Sequence, residues 1–346
     1  MIPAREPIHR PVDAKLLFVR RSGALEHRLR RDFVRLLRPG DLVIANDAAT
    51  LPASLTGIHV PSGRAVEVRL AARSSLDPAR VDRFTAVVLG AGDFRTRTED
   101  RPAPPALNPG DTLMLGQLRA TVERQLDHPR LVALYFHGSP QEIWSGFARH
   151  GRPIQYAHVP QPLAIYDTWS AIAANPAAFE APSAGFVLSW AAVASLAARG
   201  IGFATVTHAA GLSSTGDPRL DLRFPLDEPY NIPTVTAEAI SRARTRGERV
   251  VAVGTTVVRA LEDAAWANGN IAAGSGLARL KLGPETRLRI VDAILSGTHE
   301  NGTSHHELLR AFAPRHVLSR MDEQLEACGY RTHEFGDSVL IEAQPQ

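Results

Sequence analysis

Cysteine is almost missing from this 346-residue chain, with Cys328 standing alone. That excludes an internal disulfide and any multi-cysteine zinc or iron–sulfur site. Lysine is nearly as scarce, at Lys15 and Lys281 only, so arginine carries the positive side of a net charge of +3. Arginine grips phosphate and planar anions with a rigid fork of donors, which fits a nucleic-acid partner and fits equally well a genome that favours arginine and alanine. Long apolar runs are lacking too. No stretch reaches the ~18 apolar residues of a membrane span, and the start M-I-P-A-R-E-P has no signal-peptide core. No membrane association is expected, and a cytoplasmic, monomeric protein is. An apolar content of 44% against 22% charged is that of a globular chain, and the length calls for about two domains.

What is present is organised around residues 249–262, R-V-V-A-V-G-T-T-V-V-R-A-L-E. Residues 250–254 form a short apolar run closed by glycine, which reads as a buried strand. From Thr256 the apolar positions Val257, Val258, Leu261, Ala264 and Ala265 recur at helical spacing, and Gly269 supplies a stop. Gly254, Thr255 and Thr256 are therefore a strand-to-helix turn. Its N–H groups and hydroxyls point above the carboxyl end of the sheet, where α/β proteins hold small ligands. A threonine there can also be a plain N-cap.

Upstream, residues 16–19 read as a strand and 25–37 as an amphipathic helix whose basic face carries Arg28, Arg30, Arg31, Arg35 and Arg38, solvated or set against phosphates. Residues 42–45 form a strand that ends in Asn46-Asp47. An amide and a carboxylate at that place can bind sugar hydroxyls or a base edge, or close an Asx turn. Between 58 and 150, short alternating runs at 65–70, 83–89, 112–115, 118–123 and 131–136 predict an antiparallel sheet or small barrel. The expected organisation is a mostly parallel α/β domain of residues 1–57 plus 151–346, interrupted by an inserted β-barrel-like domain of 58–150.

Further on, Ser189 caps a predicted helix to 199, 201–207 is a strand, and 209–231 is a long polar loop holding Glu228 and Tyr230. Thr236 caps a helix that Gly247 ends, and 290–295 is another strand. After it, S-G-T-H-E-N-G-T-S-H-H-E places His299, His305 and His306 close in sequence. Ser304 and Glu307 have capping-box spacing, which predicts a helix to 312. Adjacent histidines point apart and no H-E-x-x-H is present, so no metal site is expected.

Five of these segments, taken in order, resemble the S-adenosylmethionine:tRNA ribosyltransferase-isomerase family of queuosine biosynthesis. They are G-D-L-V-I-A-N-D-A-A-T-L-P-A-S-L-T-G (40–57), E-A-P-S-A-G (180–185), V-A-V-G-T-T-V-V-R-A-L-E (251–262), V-D-A-I-L-S-G-T-H-E-N-G-T-S-H-H-E-L-L-R-A-F (291–312) and F-G-D-S-V-L-I (335–341). The resemblance implies an α/β domain interrupted by a barrel, with S-adenosylmethionine donating its ribosyl group to 7-aminomethyl-7-deazaguanine in tRNA, without metal or second cofactor. Carried over by position, Asp47, Glu228 and His299 become the catalytic candidates. Asn46, Gly254, Thr255, Thr256, Arg259, Tyr230, Thr303 and Asp337 become the donor-binding ones.

The chain departs from the family pattern at polar positions. Ala48-Ala49 replaces Thr-Arg, Ser54 an arginine and Val187 a histidine; Pro225-Leu226 replaces Met-His, and Glu300-Asn301 follows His299 in place of Leu-Pro. Ala49, Ser54, Val187 and Leu226 are expected on the pocket wall opposite the glycine turn. Two functions follow from this pattern: the tRNA ribosyl transfer itself, or a divergent relative that binds S-adenosylmethionine or a nucleoside without that transfer or with another acceptor.

Overall fold

The computed structural model describes residues 1–9, 11 and 13–344. A nine-stranded sheet runs in the order Gly274–Ala278, Glu228–Ile232, Gly202–His208, Leu42–Asn46, Val250–Val253, Ala293–Gly297, Ser338–Glu342, Lys15–Val19 and Leu25–Leu29. Its centre, from Gly202–His208 to Ala293–Gly297, is parallel. The flanks are antiparallel except where Ser338–Glu342 lies beside Lys15–Val19. The sheet is thus mixed, and parallel pairing is concentrated where helices cross over. Val43, Ile44, Val250 and Val251 are fully buried, as central strands covered on both faces must be. Helices Thr234–Thr245, Thr255–Asn268 and Arg315–Ala327 cover one face through Ile240, Val257, Leu261 and Met321. Phe33, Leu188 and Leu196 cover the other.

A second, antiparallel sheet runs Gly151–Arg152, Ser54–His59, Arg64–Ala72, Arg83–Leu89, Leu131–Phe136, Leu118–Gln125 and Thr112–Leu115. It closes because Ser54–His59 also pairs with Thr112–Leu115. Gly57 sits at that seam, where a Cβ would come 1.9 Å from the Met114 carbonyl oxygen, so only glycine permits closure. The barrel core is apolar, with Leu55, Val68, Val87, Leu113 and Leu134 turned inward.

Several sequence expectations change. Residues 25–37 are not one helix: Leu25–Leu29 is an edge strand hairpinned to Lys15–Val19, followed by a 3₁₀ turn at Arg30–Asp32 and one helical turn at Phe33–Leu36. Gly23 (φ +79°) makes the tight turn that brings the two strands together. Arg30, expected on the basic face, is buried and donates to the carbonyls of His9 and Gly336. The 58–150 region, expected to be all strand, also contains the helix Pro140–His150. Its Ser139–Glu142 capping box is formed, and Ile143 and Phe147 fill the barrel core. Thr236 lies inside helix Thr234–Thr245 rather than capping it, and its hydroxyl donates to the Thr205 carbonyl, 2.7 Å away. The segment 209–231 is broken by a helical turn, Pro218–Asp221, and ends in strand Glu228–Ile232.

Helix Thr255–Asn268 is anchored by Glu262, whose carboxylate accepts the N–H groups of Arg289 (2.8 Å), Ile290 (3.0 Å) and Val291 (2.9 Å) just before strand Ala293–Gly297. Glu262→Ala strands three N–H groups and should lower the unfolding free energy by about 3 kcal/mol. Urea denaturation followed by circular dichroism measures this, and Glu262→Gln, which keeps one acceptor oxygen, should lose less.

Candidate functional site

Above the carboxyl ends of strands Val250–Val253 and Ala293–Gly297 lies a cavity of about 410 Å³, within the size range of small-molecule sites. Gly254 caps the helix that starts at Thr255, with φ +101° and ψ 150°. A Cβ at Gly254 would meet only ordinary contacts, Ala184 Cβ and Thr256 Oγ1 both at 3.5 Å, so the positive φ rather than crowding calls for glycine. The N–H groups of Thr255 and Thr256, in the first turn of a 14-residue helix, have no helical partners and meet the cavity, while the Gly254 N–H is spent on the Leu295 carbonyl at 2.8 Å. They favour an anion there. Asn46 sets this turn: its amide donates to the His208 carbonyl (2.9 Å) and to Thr256 Oγ1 (3.3 Å), and accepts from the N–H of Ala48 and His208.

Glu228 and Arg259 both line the cavity and bond to each other. Arg259 also donates to the carbonyls of Leu226 (3.1 Å) and Ala278 (3.0 Å), while Glu228 accepts the Gly211 N–H. Burial draws the Arg259 pKa down to about 10 against the opposing pull of Asp263 and Asp227. His208, with Nε2 3.5 Å from Glu228, is fully buried; desolvation and the Arg259 charge hold its pKa well below the usual value.

His299 and His305 line the cavity as a stacked pair, ring centroids 4.4 Å apart. Burial first, then the neighbouring histidines, push His299 far down; burial and Arg259 take His305 to about 4. Both are neutral imidazoles at pH 7, able to accept a proton or a hydrogen bond. His306 turns away to Asp322 (3.1 Å). Thr303, rather than Ser304, caps the following helix Ser304–Leu309 and lies in the lining. Among the described residues, the histidine–carboxylate group close enough to share a metal is His158, His333 and Glu334. Their ligand atoms lie within 4.8 Å of one another, and the imidazoles of His158 and His333 stack at 4.2 Å and 20°.

Thus Gly254, Thr255, Thr256, Arg259, Glu228, His299 and Thr303 meet at one cavity, with Asn46 just behind. Three other candidates lie outside its lining. Asp47 is tied down by the hydroxyls of Thr205 (2.9 Å) and Thr207 (2.6 Å) and by Asn175. Tyr230 is buried in the sheet core with its hydroxyl toward Asp263 (3.4 Å). Asp337 is buried, accepting the N–H groups of Lys15 and Arg331 at 2.7 Å each. Ala49, Ser54, Val187 and Leu226, expected on the opposite wall, are not in the lining either. Ala49 is buried in strand Ala48–Thr50, Ser54 donates to Glu67 in the barrel, Val187 packs under the sheet, and Leu226 packs on the barrel core. The wall is formed instead by Glu180, Ser213, His305, His333 and Glu334, none of them among the expected site residues, although His305 belongs to the histidine run. Glu180 opens the segment E-A-P-S-A-G (180–185) that resembles the family, which is its one signal in the sequence.

A family model described as "Queuosine biosynthesis protein" matches residues 2–341. The S-adenosylmethionine:tRNA ribosyltransferase-isomerase of Sorangium cellulosum (strain So ce56) is 36% identical over 370 residues, covering 99% of this chain and 95% of that protein. The enzyme of the same name from Anaeromyxobacter sp. (strain Fw109-5) is 33% identical, covering 98% and 94%. The crystal structure of the S-adenosylmethionine tRNA ribosyltransferase from Thermotoga maritima shares the fold, with a TM-score of 0.52 at 22% identity over 98% of this chain and 96% of that one. With the match running end to end and the glycine turn intact at the cavity, the chain belongs to the queuosine biosynthesis family of S-adenosylmethionine:tRNA ribosyltransferase-isomerases.

Proposed function

We propose that this protein transfers and isomerises the ribosyl group of S-adenosylmethionine onto 7-aminomethyl-7-deazaguanine in tRNA, giving epoxyqueuosine. The observation that carries the reading is the meeting of the Gly254–Thr256 helix terminus with the neutral His299–His305 pair in one cavity. Of the substituted positions, Ala49, Ser54, Val187 and Leu226 lie off the cavity lining while Pro225 and Glu300 lie on it; the helix terminus and the histidine pair are untouched, which supports activity over a donor-binding relative without transfer.

The donor's methionyl carboxylate is assigned to the helix terminus, where aligned N–H groups and the helix dipole favour a negative charge. A sulfonium acidifies the adjacent ribosyl carbon, so a base placed there can take a proton while an acid assists the departure of adenine. His299, held neutral, is assigned the base. The buried Glu228–Arg259 pair positions the loop at Gly211 and the helix, rather than moving a proton itself. Asp47, outside the lining, acts through the strand end it fixes. Described helices include none long and apolar enough to cross a membrane. The division into residues 1–57 plus 151–346 and an inserted barrel of 58–150 belongs to the same proposal, with strand Ser54–His59 straddling its first boundary.

Incubating the protein with S-adenosylmethionine and tRNA bearing the aminomethyl-deazaguanine should release adenine and raise the mass of the modified nucleoside; neither change appearing would overturn the reading. His299→Ala should cut kcat by about 10²–10⁴ while leaving donor affinity nearly unchanged, checked by single-turnover kinetics beside calorimetry. Thr256→Val removes a hydroxyl from the helix terminus and should weaken S-adenosylmethionine binding by about tenfold, the worth of one hydrogen bond to a charged group.

A further inference from the structure

The cavity has a second end that the donor does not account for. On its wall Glu180 accepts the Tyr156 hydroxyl and both the N–H (3.1 Å) and hydroxyl (2.6 Å) of Ser213, all neutral donors. Among the described residues no lysine or arginine forms an ion pair with Glu180. Beside it, Glu334 accepts from His158 at 3.1 Å. Burial above all pushes the Glu180 carboxyl up to about 7, and the Glu334 charge adds to the shift. Arg259 and Lys281 line the same cavity but neither pairs with Glu180; a buried carboxylate with no cation in direct contact is costly, and a bound cation relieves that cost.

The rings behind these carboxylates are ordered. Tyr156 and His158 are parallel within 7° at 6.1 Å, and His158 stacks on His333 at 4.2 Å. His333 ends the stack and lines the cavity, and among the described residues no further ring covers its other face. One flat ring can extend the stack there. A ring that does so lies next to Glu334, which follows His333 in the chain, with Glu180 on the same wall.

Resting on the function proposed above, we infer that His333, Glu180 and Glu334 form the subsite for the acceptor base. The deazaguanine ring stacks on the free face of His333, and its aminomethyl ammonium is received between the two carboxylates. This places a cation-accepting end opposite the anion-accepting helix terminus, so that two charged substrates enter one cavity in a fixed sense. A base taken out of its stack and laid on an aromatic face is also how single-stranded RNA loops are read.

The test is calorimetric titration of the full chain with free 7-aminomethyl-7-deazaguanine and with its 7-hydroxymethyl counterpart, which exchanges the ammonium for a neutral hydroxyl. The intact protein should prefer the amine by about 30-fold, as a charge-assisted hydrogen bond is stronger than a neutral one. Glu180→Gln and Glu334→Gln should each reduce that preference to within a few-fold. His333→Ala should weaken both ligands by roughly tenfold, the scale of one base–aromatic stack. S-adenosylmethionine affinity should change by less than about twofold in all three variants. Glu334→Gln, whose carboxylate holds fewer protein donors, serves if Glu180→Gln fails to fold. An intact protein without preference for the amine overturns the inference. So does a tenfold loss of S-adenosylmethionine affinity in the carboxylate variants, because the donor's own ammonium then occupies this end. Adenine release by the intact protein reads the function separately: activity with unchanged base selectivity sinks the subsite alone, and no activity sinks both.

Discussion

The buried pair of Arg259 and Glu228 holds together the parts on which the cavity depends. Arg259 comes from the helix after the glycine turn, and Glu228 opens an antiparallel flanking strand. The guanidinium also gathers the carbonyls of Leu226 and Ala278, and the carboxylate takes the Gly211 N–H. Helix, flanking strands and the loop that follows His208 are thereby fixed to one another. Two charges withdrawn from water keep their ionisation only when mutually satisfied, and here nearly every donor and acceptor is spent on the scaffold. The pair is consequently a frame around the site more than a participant in it.

Inside that frame the polar groups are sorted by charge preference. A helix terminus offers N–H groups at one end of the cavity. Two stacked histidines, kept neutral by burial and by nearby positive charge, line another part, and Glu180 and Glu334 stand on the same lining. A sulfonium nucleoside and a cationic base need such a division, since both carry positive charge and only one carries a carboxylate. The Sorangium cellulosum relative carries the first of these, S-adenosylmethionine, together with tRNA in its name.

Much of this was legible in the residues. The strand and helix around Gly254 follow from a β-branched run, a glycine and helical spacing, and the structure differs by a single residue at the helix start. The barrel strands at 83–89, 112–115 and 131–136 coincide with the observed ones, because alternation and turn residues are local signals. The helix expected at 25–37 failed because the five residues 25–29 satisfy strand alternation as well as helical spacing, and pairing with Lys15–Val19 decided between them. The helix at Pro140–His150 was missed although Ser139 and Glu142 stand at capping-box spacing.

The sequence by itself determined the central parallel strands, most of the barrel strands, where the glycine turn lies, and which family pattern the chain follows, because backbone preference and motif order are properties of neighbouring residues. Only the tertiary structure decided which polar side chains share the cavity. Asp337 and Tyr230 fit the motif as well as Thr256 does, yet they are turned into the protein's own hydrogen bonds. Glu180 and the adjacent His333 and Glu334, 153 and 154 residues further along the chain, come together on one wall. Such convergence depends on how the sheet, the barrel and their connections pack, and no local pattern encodes it.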